Sequence, residues 1–198
     1  MRTDLNGFLE LFRPTEMVDS ITQLTVDGLR SRGINALLVD LDNTLVPWST
    51  REITNQVRDW LKTTQDAGVK ICIVSNTSSS RRLKALSSEL GIPHANKGAK
   101  PRRKGFREAM GLLAVDPSCV AVVGDQIFTD ILGGNRLGVR TILVRPIGQR
   151  EFFGTKISRV FERMLLRHFQ AHGPGFSSEF VNASDFEREQ SSETQSQK

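Results

Sequence analysis

Four short apolar runs punctuate the chain, Ala36–Val39, Ile71–Val74, Val120–Val123 and Thr141–Val144, and the stretches between them carry apolar residues at helical spacing. Runs of this length bounded by turn residues read as buried strands. Between the first two, Ser49-Thr50-Arg51-Glu52 has the spacing of a capping box, and Ile53, Val57, Trp60 and Leu61 follow at i, i+4, i+7 and i+8. A second helix is predicted from about Ser79 to Leu90, stopping at Gly91-Ile92-Pro93. A third starts after Pro101 and carries Phe106, Ala109, Met110 and Leu113, and a fourth runs from about Asp130 to Leu137 and ends at Gly138. Strand alternating with helix predicts an α/β fold, a Rossmann-like open parallel sheet flanked by helices.

Open parallel sheets bind ligands beyond the carboxyl ends of their strands, so the residues that follow each apolar run carry the functional signal. After the first run come Asp40 and Asp42, with Asn43 and Thr44 behind them. If the extended geometry persists past Asp40, two carboxylates two residues apart face one small volume. After the second run stand Ser75, Asn76 and Thr77, a row of small hydrogen-bonding residues, of which Ser75 and Asn76 are candidates for binding phosphoryl oxygens. The third is followed by Gly124-Asp125 and then Asp130, and a basic segment from Lys97 through Lys100 to Lys104 precedes it. This set suits phosphoryl transfer from a monoester. Asp40 and Asp125, with a backbone carbonyl near Asp42, offer oxygen ligands to Mg²⁺. Ser75 and a lysine would stabilise charge on the transferring group.

Composition narrows the setting. At 198 residues, with 38% hydrophobic and 25% charged positions, the chain fits a single globular domain. We expect that domain to span 1–172, and the Ser-, Glu- and Gln-rich residues 173–198 to form a disordered polar tail. Cys72 and Cys119 each lie in an apolar run and read as small buried hydrophobes; the three histidines lack metal-ligand spacing. Leu5 to Phe12 is too short and too interrupted for a signal sequence, and no apolar run is long enough to span a bilayer. A cytoplasmic setting is expected. The net charge of +5 favours anionic partners: phosphoesters, nucleic acid or acidic lipid surfaces.

Read together, these segments resemble the haloacid dehalogenase-like (HAD) phosphatases. The DxDx(T/V) motif matches Asp40-Leu41-Asp42-Asn43-Thr44, the strand-closing serine matches Ser75, the Lys-Pro lysine matches Lys100 with Lys97 as runner-up, and GDxxxxD matches Gly124 to Asp130. Arg13-Pro14, Val18-Asp19-Ser20-Ile21 and Leu41 through Trp48 further resemble the bacterial YqeG-like branch, which is similar to phosphatidylglycerophosphate phosphatases. The resemblance covers roughly the first 150 residues. It implies that Asp40 attacks phosphorus and that Asp42 protonates the leaving oxygen and then activates water. It further implies that Asp40, Asp42 and Asp125 bind Mg²⁺, and that Asp130 supports the metal or orients Lys100.

Many HAD enzymes insert a cap domain between these motifs. Ser75 follows Asp42 by 33 residues and Lys100 follows Ser75 by 25, which leaves room for one helix each time. A capless, open site suits a phosphate presented by something large. The leading expectation is a lipid phosphate at the inner face of a membrane, with the enzyme peripheral to it. Alternatives are a nucleic-acid 3′-phosphatase, a protein phosphatase, and a non-catalytic scaffold. Two amphipathic stretches bear on the choice: Leu5, Phe8, Leu9 and Phe12, and Ile157, Val160, Phe161, Met164 and Leu165 with Arg159, Arg163 and Arg167. Such stripes either pack on the core or lie on an anionic membrane.

Overall fold

A computed structural model describes residues 5–95 and 99–147, together with Met164, Leu165 and Phe169. The chain separates into two compact units, Met1–Phe152 and Phe153–Lys198. The expected boundary at 172, the polar tail, Lys97 and the stripe from Ile157 to Phe161 lie outside the described residues. Of that stripe, Met164 is exposed and Leu165 half-buried.

The first unit is built on a five-stranded, wholly parallel sheet. Its strands are β1 (Glu16–Val18), β2 (Ala36–Val39), β3 (Lys70–Ile73), β4 (Val120–Gly124) and β5 (Arg140–Val144), in the order β1-β5-β4-β2-β3. Among the described helices are α1 (Leu5–Glu10), α2 (Val26–Ser31), α3 (Asn55–Asp66), α4 (Ser80–Leu90), α5 (Arg103–Leu113) and α6 (Leu132–Leu137).

The four apolar runs became β2 to β5 because both faces of the sheet are covered, so no alternation with polar residues is needed. Period-two geometry deals their side chains to two cores. Leu37, Val39, Ile71, Ile73, Val123 and Ile142 pack with residues of α2, α3 and α4, including Leu29, Trp60 and Leu86. On the other face Leu38, Cys72, Val74 and Val122 pack with Phe106, Ala109 and Met110 of α5. The contact between α5 and α6 is close-packed: a Cβ at Gly133 would fall 2.4 Å from the Phe106 ring.

Three local expectations are corrected. The predicted capping box at Ser49–Glu52 does not start a helix; α3 begins at Asn55, capped by Thr54, whose hydroxyl accepts from the Val57 amide at 3.3 Å. Ser49 instead takes a left-handed φ of 61° and gives its amide to Asp42 at 2.9 Å. The fourth helix is preceded by a π-helical turn, Ile127–Ile131, so that its regular part starts at Leu132. Cys119 ends a 3₁₀ turn and is half-buried, whereas Cys72 is fully buried as expected.

Candidate active site

Sheet register brings the site together. Val39 pairs with Ile73 on one side and Val123 on the other. One residue further on, Asp40 donates its amide to Val123 and the Val39 carbonyl accepts from Val74. Ser75 and Asp125 therefore leave the neighbouring strands one step beyond the level of Asp40.

The floor of the site is a buried charged network. Asp40 is 6% exposed, Lys100 7%, Asp125 2% and Asp130 1%. The Lys100 ammonium reaches Asp40 Oδ1 at 2.5 Å and Asp130 Oδ1 at 2.7 Å. Burial drives the Asp40 carboxyl up to about 6, with Lys100 pulling it back and Asp130 pushing it further. Burial alone would push Lys100 down, but Asp130 and Asp40 outweigh it and hold the ammonium above its ordinary value. Asp130 Oδ2 accepts from the Gln126 amide at 3.2 Å. Its carboxylate occupies the space a side chain at position 124 would need: a Cβ on Gly124 would lie 2.3 Å from it. That contact is the physical reason for glycine ahead of Asp125.

Carboxylate oxygens of Asp40, Asp125 and Asp130 lie within 4.8 Å of one another. A buried, all-oxygen set of this kind fits a hard divalent cation. The grouping differs from the expected Asp40, Asp42 and Asp125, because the Asp42 carboxylate is engaged elsewhere. β2 ends at Val39, Asn43 takes a φ of 62°, and the chain turns so that Leu45 and Val46 both donate to the Leu41 carbonyl. Both Asp42 oxygens then accept from Arg82 Nη2 at 2.5 Å.

Ser75 is buried, and its hydroxyl accepts from the Thr77 amide at 3.1 Å. Asn76, expected at the phosphate, spends its side-chain amide on the backbone of Lys100, donating to the Lys100 carbonyl at 3.0 Å and accepting from the Lys100 amide at 2.7 Å. Between them, Asn76 holds the main chain of the lysine and Asp130 holds its head. Arg82 was missed by sequence reasoning. Its signal is two arginines, Arg81 and Arg82, in the first turn of α4, where the helix dipole disfavours cations.

Around this floor lies a rim of exposed groups on the same loops. Trp48 is 36% exposed and Ile147 42%. Asn43 pins both, its side-chain oxygen accepting from the Trp48 amide at 3.1 Å and its carbonyl from the Ile147 amide at 2.9 Å. Arg51, three residues after Trp48, is exposed, as are Arg81 next to Arg82 and Arg102, Arg103 and Lys104 just after Lys100.

The chain is similar to several known proteins. A family model described as "Mitochondrial PGP phosphatase" matches residues 8–148. A "Probable phosphatase YqeG" from Bacillus subtilis is 38% identical over 164 residues, spanning 83% of this chain and 95% of that protein. "Phosphatidylglycerophosphate phosphatase 1, chloroplastic/mitochondrial" from Arabidopsis thaliana is 26% identical over 170 residues, 81% of this chain, and the match spans about half (49%) of the plant protein. Among solved structures, a HAD phosphatase from Thermococcus onnurineus matches with a TM-score of 0.43 at 24% identity, over 52% of this chain and 51% of that one.

Proposed function

The chain belongs to the mitochondrial PGP phosphatase family and is a HAD-type phosphomonoester hydrolase; on that premise we propose that it is Mg²⁺-dependent, works through a phosphorylated Asp40, and acts on a lipid phosphate, phosphatidylglycerophosphate, at a membrane surface. The observation that carries the mechanism is the buried convergence of Asp40, Lys100, Asp125 and Asp130.

Asp40 supplies the attacking oxygen. As its bond to phosphorus forms, the bond from phosphorus to the ester oxygen breaks, and Asp42 gives that oxygen a proton. In the second step Asp42 takes a proton from water, the water oxygen bonds to phosphorus, and the phosphorus–Asp40 bond breaks to release inorganic phosphate. Lys100 offsets the negative charge of the transferring group, and Asp130 and Asn76 keep it aimed. Ser75 binds a phosphoryl oxygen. Asp40 and Asp125 would hold Mg²⁺, with the Asp42 backbone carbonyl as a further ligand, and the ion would supply positive charge that lets a carboxylate approach a phosphate dianion.

Support for the lipid comes from the family description, from the plant relative, and from the rim. Trp48 and Ile147 are exposed apolar groups tied to Asn43, and the exposed basic residues that stand in sequence beside Arg82 and Lys100 suit anionic headgroups. Among the described residues no helix is long and apolar enough to cross a membrane, which fits a peripheral attachment. The test is phosphate release from phosphatidylglycerophosphate in mixed micelles with Mg²⁺, comparing the native chain with Asp40→Asn. We expect release by the native chain alone. Equal release by both would refute Asp40 as nucleophile. Release from a 3′-phosphorylated oligonucleotide but not from the lipid would refute the lipid assignment.

A further inference from the structure

Two clusters of well-shielded ion pairs, one buried and one largely so, occur among the described residues, and both fall on the motif that opens the site. One is Lys100 with Asp40 and Asp130; the other is Arg82 with Asp42, their side chains 8% and 16% exposed. The remaining described pairs, such as Lys62–Asp66, Arg58–Glu89 and Arg145–Asp19, are far more exposed. Taking charges out of water is costly, so a buried pair needs a reason beyond stability.

Arg82 engages three groups from two loops. Nη1 donates to the Thr50 carbonyl at 2.6 Å, and Nη2 meets both Asp42 oxygens at 2.5 Å and the Thr77 hydroxyl at 3.3 Å. Thr50 lies on the segment that follows β2, and Thr77 on the segment that follows β3. The Ser49 amide fixes Asp42 Oδ1 at 2.9 Å from the other side. A planar guanidinium can serve all these acceptors at once, which a lysine ammonium cannot do in the same geometry. The local sequence resists the arrangement, since Arg82 stands in the first turn of α4 with its amide turned to the Ser79 cap.

We propose that Arg82 is the positioning residue for Asp42: it holds the carboxylate at the mouth of the site so that one group serves first the leaving oxygen and then the attacking water. This rests on the role of Asp42 given above. Among the described residues the Arg82 guanidinium bonds Asp42, Thr50 and Thr77, and not the nucleophile. It follows that Arg82 affects only the steps in which Asp42 moves a proton.

The activated ester p-nitrophenyl phosphate separates those steps, because its leaving group departs without a proton. For Arg82→Lys, kcat should fall on the order of 10- to 100-fold, and KM should fall in parallel. The ratio kcat/KM, which reports attack by Asp40, should stay within about 3-fold of the native value, about 0.6 kcal/mol. A burst of nitrophenolate should precede the slow phase, and its amplitude counts the folded, competent sites. Adding Arg82→Lys to Asp42→Asn should cost nothing further. An equal fall of kcat and kcat/KM in Arg82→Lys, or an additive loss in the double variant, would overturn the proposal and leave Arg82 as a structural staple. The control is Asp42→Asn alone: if its own kcat/KM collapses on this ester, the role of Asp42 fails instead.

Discussion

Asp40 and Asp42 are two positions apart, yet the fold places them in different settings. Asp40 closes β2 still inside the hydrogen-bond ladder, is 6% exposed, and shares Lys100 with Asp130. Asp42 sits past the end of the strand, where the Asn43 turn hands it to Arg82 and the Ser49 amide. The floor is a network crowded with carboxylates around one ammonium, and burial raises Asp40 to about 6. The rim is a one-to-one pair spanning two loops. A nucleophile and a proton carrier make opposite demands, one needing exclusion of water and a fixed line of attack, the other access to an alcohol oxygen and then to water. In the proposed mechanism, giving each aspartate its own cation meets both demands.

The sharpest way to break the floor is to remove its cation. Lys100→Met leaves Asp40 and Asp130 buried without compensation, and we expect a loss of about 3–5 kcal/mol in denaturant unfolding without Mg²⁺, with activity down on the order of 10²–10³-fold. A loss below about 1 kcal/mol would contradict the network.

A pH series addresses Asp40 itself. Its carboxyl titrates near 6 in the folded protein against an ordinary 3.8, so the folded state binds the extra proton between those values. Stability of the metal-free protein should therefore fall as pH rises from about 4 to about 6, by on the order of 3 kcal/mol. The difference between the native chain and Asp40→Asn isolates this slope. A flat or rising difference would contradict it.

Asn76→Ala tests the support behind the floor. Losing both bonds to the Lys100 backbone should lower kcat/KM on the order of 10-fold while shifting stability by about 1 kcal/mol. The smallest expected effect lies two residues past Asp42. The Thr44 hydroxyl is buried without a hydrogen-bond partner, so Thr44→Val should stabilise the protein by about 1 kcal/mol, a rise in Tm of about 2–4 °C, with activity unchanged. A destabilised variant would show that the hydroxyl is used.

The sheet was legible because four of its five strands are plain apolar runs covered on both faces. β1 was not: Glu16, Met17 and Val18 are all half-buried, and their place is set by pairing with Ile142, Leu143 and Val144 rather than by any local pattern. Asp40, Lys100, Asp125 and Asp130 could be placed from strand ends and motif resemblance, and they do converge. Lost to the sequence were the partners reached across loops. The bond from Arg82 to Asp42 joins residues 40 apart, and that from Asn76 to Lys100 joins residues 24 apart. No periodicity encodes such pairings. Reading Ser49 as a helix cap failed for a related reason, because its amide is taken up by Asp42.

The most direct test of the central claim, that Asp40 carries the phosphate while Asp42 moves the protons, is a burst experiment on Asp42→Asn with excess p-nitrophenyl phosphate, quenched in acid and mapped by mass spectrometry. The account predicts one nitrophenolate released per enzyme, followed by a stall, with the phosphate recovered on Asp40. Nitrophenolate and inorganic phosphate appearing in step, or phosphate recovered on any other residue, would contradict it.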